Sequence, residues 1–420
     1  MKEQSIFKNG SFLHLWSSQF LSQITINLLS FLVLVRLFEV THSTLATSFL
    51  WIAYALPALI IGPIAPAVID LSDKRKVLMT SNILQGLIIF SYALLYQKTI
   101  FLSYGAVFLY SFVNQFYVPA EAASLPRIVD KKNLVQANGI FFITQQSCLV
   151  VGFAIAGILG EVIGFQTTLL MASILLGVAF FNTHFLKPMK SSESIPLNPE
   201  EAISKFYNEI AEGFRFILRN REILFPFLLL MSLQVTITII VVNLPILSTE
   251  ILKIRPSASG IFAMAPAGIG AFIGILLVTK LLARGRGKSN ITKEAMLGIA
   301  LTMWCTVALI PLLPLMLKPL VAAFIFMFTG VSMVWALIPS QTYLQERTPA
   351  NLLGRVFGNF WFITTIMTVF PVLFSATVTE VLGIKPLFLI LGFIYFAGYL
   401  VLKNFGSRTL FTQKFYGNKI

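Results

Sequence analysis

The feature that most constrains this chain is a repeated one: long apolar runs, nearly free of charge, return from end to end. They fall at about 11–38, 45–69, 77–97, 101–118, 137–162, 166–186, 224–249, 257–282, 294–316, 319–339, 357–380 and 384–403. Crossing the hydrocarbon layer of a bilayer as α-helix takes roughly 20 apolar residues, and each run approaches or exceeds that length. In lipid every backbone amide and carbonyl must be paired within the chain, so an all-α integral membrane architecture with twelve spans is expected. Composition agrees. Hydrophobic residues make up 57% of the sequence and charged residues 11%, against about 25% charged in soluble domains.

A net charge of +14 would suggest nucleic acid in a soluble protein. Here the positions of the basic residues report topology instead, and no nucleic-acid partner is expected. With twelve crossings, 25 of the 31 Lys and Arg residues lie on the side of the termini. Only Arg36, Lys98, Lys253, Arg255, Lys318 and Lys385 lie on the other. The positive-inside rule then places both termini in the cytoplasm of a bacterial-type plasma membrane. The first run follows Lys2 and Lys8 but is too long for a signal-peptide core, so it is read as a retained span. Cys148 and Cys305 each sit in an apolar run and read as packing residues.

The longest polar stretch, 187–222, separates residues 1–186 from residues 223–420, which gives two six-span halves. Asn198, Pro199, Glu200 and Glu201 have the order of an N-cap, a first-turn proline and a capping-box acid. Beyond them Ile203, Phe206, Ile210, Phe214 and Ile217 recur at helical spacing among charged residues. This describes an amphipathic helix for the membrane interface or a plain strut. The halves repeat weakly. The basic loop Asp70-Leu71-Ser72-Asp73-Lys74-Arg75-Lys76 follows the second span, and Lys280 through Arg286 follows the eighth. Pro126 begins and Asn138-Gly139 ends the loop before span five, while Pro339 begins and Gly354-Arg355 ends the loop before span eleven.

Polar side chains inside the runs are the candidates for chemistry, because an unpaired polar group in hydrocarbon is costly. Gln19, Gln23 and Asn27 are spaced by four in the first run and share a helix face. Further amides are Asn114 and Gln115, Gln145 and Gln146, Gln234, Asn243 and Asn359. Each either lines a substrate cavity or serves as hydrogen-bond glue between helices. Tyr110, Tyr117 and Trp335 are candidates for aromatic cavity walls or for interface anchors. The sequence Gly285-Arg286-Gly287-Lys288-Ser289 lacks the first glycine of a phosphate-binding loop. No metal cluster or nucleophile with a base is evident, so neither an enzyme nor a cofactor is expected.

The chain resembles the major facilitator superfamily, in particular its twelve-span branch of macrolide and enterobactin exporters. Three stretches carry this: Leu13-His14-Leu15-Trp16-Ser17-Ser18-Gln19-Phe20-Leu21-Ser22-Gln23; the loop from Asp70 to Lys76, similar to the signature Gly-x-x-x-Asp-Arg-x-Gly-Arg-Arg; and the paired loops at 125–138 and 345–356. Pro66 replaces the signature's first glycine, Leu71 its arginine and Asp73 its second glycine. Phe153 stands where antiporters carry proline, beside Gly152, Gly157 and Gly160, and the fourth span has no arginine. The resemblance implies two six-helix bundles that alternate access to a central cavity lined by spans one, four, seven and ten. It also implies gating by Asp70, Asp73, Lys74, Arg75, Lys76 and Arg355. The partners implied are a small-molecule substrate, the lipid bilayer and a coupling proton or cation, in a monomer. No acidic residue lies mid-span, and Glu121 at the end of span four is the candidate for coupling. The function implied is secondary active export of a small amphipathic or weakly polar compound. A transporter-like sensor or assembly protein without net transport, and a lysolipid flippase of the same fold, are the alternatives.

Overall fold

The computed structural model describes residues 6–404 apart from 63, 131–132, 190–203, 205–207, 209–210, 213 and 349–352. A few further side chains, among them Asp70, Arg355 and Asn359, also lie outside the description. Among the described residues the chain is helical, with no strand. The principal helices are α1 (Gly10–Thr41), α2 (Thr44–Ile61), α3 (Lys74–Leu95), α4 (Phe101–Ile128), α5 (Leu134–Val162) and α6 (Phe165–His184). They continue as α7 (Arg221–Val242), α8 (Ala265–Ala283), α9 (Lys288–Ala308), α10 (Lys318–Arg347), α11 (Leu353–Leu382) and α12 (Ile384–Asn404). Eleven of them are long and apolar enough to cross a membrane. The exception is α4, which has the length at 28 residues but carries Asn114, Gln115 and Glu121.

Several boundaries read from sequence move. The run 45–69 is two helices, α2 and a short one, Ala65–Leu71. Gly62 caps α2, and Pro63 has no amide hydrogen to continue its ladder. Pro126 and Pro339 do not begin loops but lie inside α4 and α10, whose ladders absorb the one missing hydrogen bond. α4 ends at Ile128 and α5 begins at Leu134, so Asn138-Gly139 falls within α5. After α7 the path is irregular: a turn of helix at Leu244–Leu247, π-helical turns at Ser248–Leu252 and Gly260–Met264, and a left-handed Lys253 between them. The proposed capping residues Asn198 to Glu201 lie outside the described residues.

The chain divides into two compact units, Met1–Tyr207 with Arg255–Ala265, and Asn208–Ile254 with Pro266–Ile420. In the first, α1 packs against α2, α4, α5 and α6, while α3 packs against α4 and α6. Local chemistry sets the helix ends. The Asn9 side chain accepts from the Phe12 amide at the start of α1, Ser43 does the same for Ala46 in α2, and Asp73 for Arg75 in α3. A cluster of Phe12, Leu15, Tyr117, Leu125, Phe141 and Leu186 fills one end of this unit. Small residues let α5 approach its neighbours: a Cβ on Gly152 would lie 2.6 Å from Asn27 Cβ, and one on Gly157 would lie 2.5 Å from the Ser257 carbonyl oxygen.

In the second unit α9 packs on α10 and α12, and α7 on α10 and α11. Ile217, the last apolar residue of the predicted amphipathic stretch, is buried with Phe227, Leu344, Val356 and Phe360, whereas Phe214 of the same stretch is exposed. Helices α8 and α10 meet backbone to backbone, where Gly270 abuts the Met327 carbonyl and Gly330 the Ala267 carbonyl.

Candidate functional site

The amides of α1 sort by height. Gln19 is buried and donates from Nε2 to the Phe141 carbonyl of α5 at 3.2 Å. Asn27 is buried against Gly152 of α5 and donates to the Gln23 carbonyl at 2.7 Å, while the Gln23 side chain is half-buried between them. Trp16 adds a 2.8 Å bond from Nε1 to Thr144. The predicted stripe thus looks towards α5, where it seals a helix pair and leaves Gln23 as its most open member.

A second polar face of α1 was not singled out from sequence. Ser18, Ser22 and Thr25 are all buried, at spacings of four and three. Thr25 turns to the Ala172 carbonyl of α6, while the two serines meet a matching stripe on α4, formed by Tyr110, Asn114, Tyr117 and Glu121 at spacings of four, three and four, one helix face. The Ser18 hydroxyl lies 3.2 Å from Tyr117 Oη and accepts from Asn82 Nδ2 of α3 at 3.1 Å. Tyr110 neighbours Ser22, and Tyr117 lies one turn before Glu121 on α4. Gln85 of α3 donates to Asn114 Oδ1 at 3.4 Å, with Tyr54 of α2 on the same amide. Asn82 and Gln85, three apart on α3, are amides in an apolar run that the sequence reading passed over, though the same polar signal marks them. The serines gave none, because serine in a membrane helix commonly bonds its own preceding turn, as Ser124 does to the Ala120 carbonyl.

Glu121 is 8% exposed, and its Oε1 has no hydrogen-bond partner among the described residues. The other candidates scatter more widely. Gln115 is half-buried and bonds its own helix at the Ser111 carbonyl, while Gln145 and Gln146 of α5 are exposed.

In the second unit Gln234 of α7 is half-buried. Asn243 is fully buried and makes three hydrogen bonds: Nδ2 donates to the Ile239 carbonyl at 2.9 Å and to Ser375 Oγ at 3.1 Å, and Oδ1 accepts from Thr379 at 2.9 Å. This amide joins α7 to α11. Trp335 is half-buried and donates to the Gly274 carbonyl at 3.2 Å, joining α10 to α8.

The residues assigned to gating from the signature loop hold their own unit together. One Asp73 carboxylate oxygen accepts both the Arg75 amide at 3.1 Å and the Met189 amide at 3.0 Å. Lys74 is buried and donates from Nζ to the Ser72 carbonyl at 3.1 Å, and its backbone amide bonds the Met189 carbonyl. Arg75 donates to the His184 carbonyl at 2.5 Å, and Arg127 to Met189 at 3.2 Å. The loop thereby pins residues 184–189, the exit from α6. Lys76 is exposed. The Asp70 and Arg355 side chains lie outside the described residues.

A nearly all-helical chain with this many apolar helices and polar groups buried between them is a multi-pass membrane protein. The chain matches the Major Facilitator Superfamily over residues 15–372, and it belongs to that family. It is 24% identical over 405 residues to the uncharacterised MFS-type transporter YfiS of Bacillus subtilis, covering 93% of this chain and 92% of that one. It is also 24% identical over 393 residues to Macrolide efflux protein A of Streptococcus pyogenes, covering 91% and 92%. The crystal structure of the nucleoside transporter NupG superposes with a TM-score of 0.70 at 13% identity, covering 94% of this chain and all of that one. At that identity the likeness shows the fold.

Proposed function

We propose that this protein is a secondary active exporter of small amphipathic or weakly polar compounds, working by alternating access. The observation that carries the reading is near-full-length similarity to a macrolide efflux protein in a chain whose intramembrane polar groups are mostly amides and hydroxyls. Amide-lined surfaces suit uncharged or weakly polar cargo, since they offer donors and acceptors without a fixed charge to satisfy. In this reading α4 is the twelfth crossing. Its low hydropathy reflects the polar groups it packs against α1 and α3, away from lipid. The two halves then hold six spans each, both termini face the cytoplasm, and the protein works as a monomer.

Burial and hydrogen bonding together divide the candidate residues. Gln23, Gln115, Gln145, Gln146, Gln234 and Trp335 keep exposed surface and are proposed to touch cargo. Gln19, Asn27, Asn114 and Asn243 are committed to helix contacts and are proposed to shape the helices that present the first group.

The test is accumulation of a panel containing a macrolide, a lipophilic cationic dye and a neutral amphiphile, in cells with and without the gene. At least one compound is expected to accumulate less when the protein is present. Equal accumulation across the panel, with the protein verified in the membrane, contradicts export.

A further inference from the structure

We propose that the outer side of the α9–α12 pair binds an anionic phospholipid. Lys293 and Lys403 take its headgroup, and a ridge of Trp304, Phe393, Phe396 and Tyr399 takes an acyl chain. Three observations carry this: rings in unbroken contact on an exposed face, a ridge about one leaflet long, and two cations without a counter-charge at its end.

Glycine sets the register of the pair. A Cβ on Gly392 would run into the Trp304 indole and one on Gly398 into the Met296 side chain, so the start of α9 lies beside the end of α12. The Trp304 ring lies 5.2 Å from Phe393 and 5.4 Å from Phe396, centroid to centroid. Phe396 stacks on Tyr399 at 5.9 Å, and Lys403 Nζ lies 5.9 Å from the Tyr399 centroid. Phe393, Phe396, Tyr399 and Lys403 recur at steps of three and four, one face of α12. The opposite face, with Leu387, Phe388, Leu391 and Tyr395, is buried in the unit. Phe393 is 61% exposed, and Ile394, Leu400 and Val401 beside the ridge are exposed too.

Tryptophan in a membrane helix favours the interface, where its N–H meets water. Trp304 is placed otherwise. It sits against Gly392, and from residue 392 to residue 403 the helix rises about 16 Å at about 1.5 Å per residue. That is the depth of one leaflet in a hydrocarbon layer of about 30 Å, which both helices are long and apolar enough to cross. The indole Nε1 donates to the Leu389 carbonyl at 3.4 Å, so it needs no water at that depth. The ridge therefore runs from headgroup level to mid-membrane. Its rings are rigid, so an acyl chain orders against a surface with little freedom of its own to lose.

Ion pairs sort the cations at the headgroup end. Arg286 is taken by Glu294 and Lys288 by Glu346. Lys293 reaches the neutral Asn290 Oδ1 at 3.4 Å, and Lys403 is exposed over Tyr399. Among the described residues neither has a carboxylate partner. Lys293 lies three residues before Met296 and Lys403 five beyond Gly398, so both stand at the same end of the ridge. Two such ammonium groups attract a headgroup of net negative charge and favour it over a zwitterionic one. Free phosphate would bring the charge but nothing to lay on the rings, so the occupant is a lipid.

The test is quenching of Trp304 by brominated acyl chains. Full-length protein with Trp16, Trp51, Trp335 and Trp361 replaced by Phe is reconstituted into mixed phosphatidylglycerol and phosphatidylcholine bilayers, with one lipid or the other brominated. The association constant of phosphatidylglycerol at Trp304 is expected to exceed that of phosphatidylcholine several-fold, and the excess to vanish in a Lys293→Gln, Lys403→Gln double variant. Equal quenching by the two lipids overturns the proposal. An excess that persists in the double variant overturns the assignment to the lysines. No quenching by either lipid means that a second copy of the chain covers this face, and overturns lipid binding. Native mass spectrometry of protein with all its tryptophans decides the same question without the Phe replacements: retention of phosphatidylglycerol over phosphatidylcholine should be lost in the lysine variant, and equal retention in the wild type contradicts the site. Neither readout depends on whether the protein exports cargo.

Discussion

At the scale of single residues, Asn243 and Gln145 read alike in the sequence, each an amide in an apolar run. The structure separates them completely. Asn243 is enclosed and bonded to Ser375 and Thr379, more than 130 residues further along the chain, whereas Gln145 is exposed on α5. Removing the Asn243 side chain leaves Ser375 and Thr379 with only their bonds to carbonyls of their own helix, and interhelical hydrogen bonds of this kind are worth about 1–2 kcal/mol at most. Asn243→Ala should therefore lower the thermal unfolding midpoint in detergent by several degrees, read by intrinsic fluorescence. An unchanged midpoint would show that the three-residue cluster contributes nothing to the α7–α11 contact. Residue type was legible because hydrocarbon makes any amide conspicuous. Partners were not, because they depend on tertiary neighbours that spacing along one helix cannot supply. Ser18 and Ser22 illustrate the same limit, since their hydroxyls look self-satisfied until α3 and α4 are placed beside them.

Among the helices, lengths and order followed from hydropathy, and errors clustered where proline and glycine act. Pro126 and Pro339 read as loop starts because proline ends most soluble helices, yet within long membrane helices the ladder continues past them. The helix that Gly62 caps, by contrast, does end before the short helix Ala65–Leu71. The signature loop shows a similar shift. Its Asp73 caps α3 and holds the Met189 amide, contacts that the pattern of charges in the loop did not reveal. The most demanding helix contact is the crossing of α8 and α10, where Gly270 and Gly330 allow the backbones to touch. Gly330→Leu should cost about 1–3 kcal/mol through overpacking. Gly105→Leu on α4, where nothing lies within 4 Å of the added Cβ, should be tolerated. Gel-filtration survival after heating compares the two, and equal survival would contradict the crossing.

Over the whole molecule, the apolar repeats led directly to an all-helical membrane protein, and the loop patterns led to the superfamily it belongs to. Cargo identity was not legible, because specificity is set by side chains gathered from distant helices rather than by any local motif. The exposed and half-buried amides carry the central claim, and the most direct measurement is flux in proteoliposomes. Purified protein is reconstituted with an imposed pH gradient, and release of a compound that lowers its accumulation in cells is followed with time. The predicted result is gradient-driven flux that falls at least several-fold in a Gln145→Ala, Gln146→Ala double variant with unchanged thermal stability. No flux of any compound that binds, with or without the gradient, would contradict transport itself; undiminished flux in the double variant would remove these amides from the path.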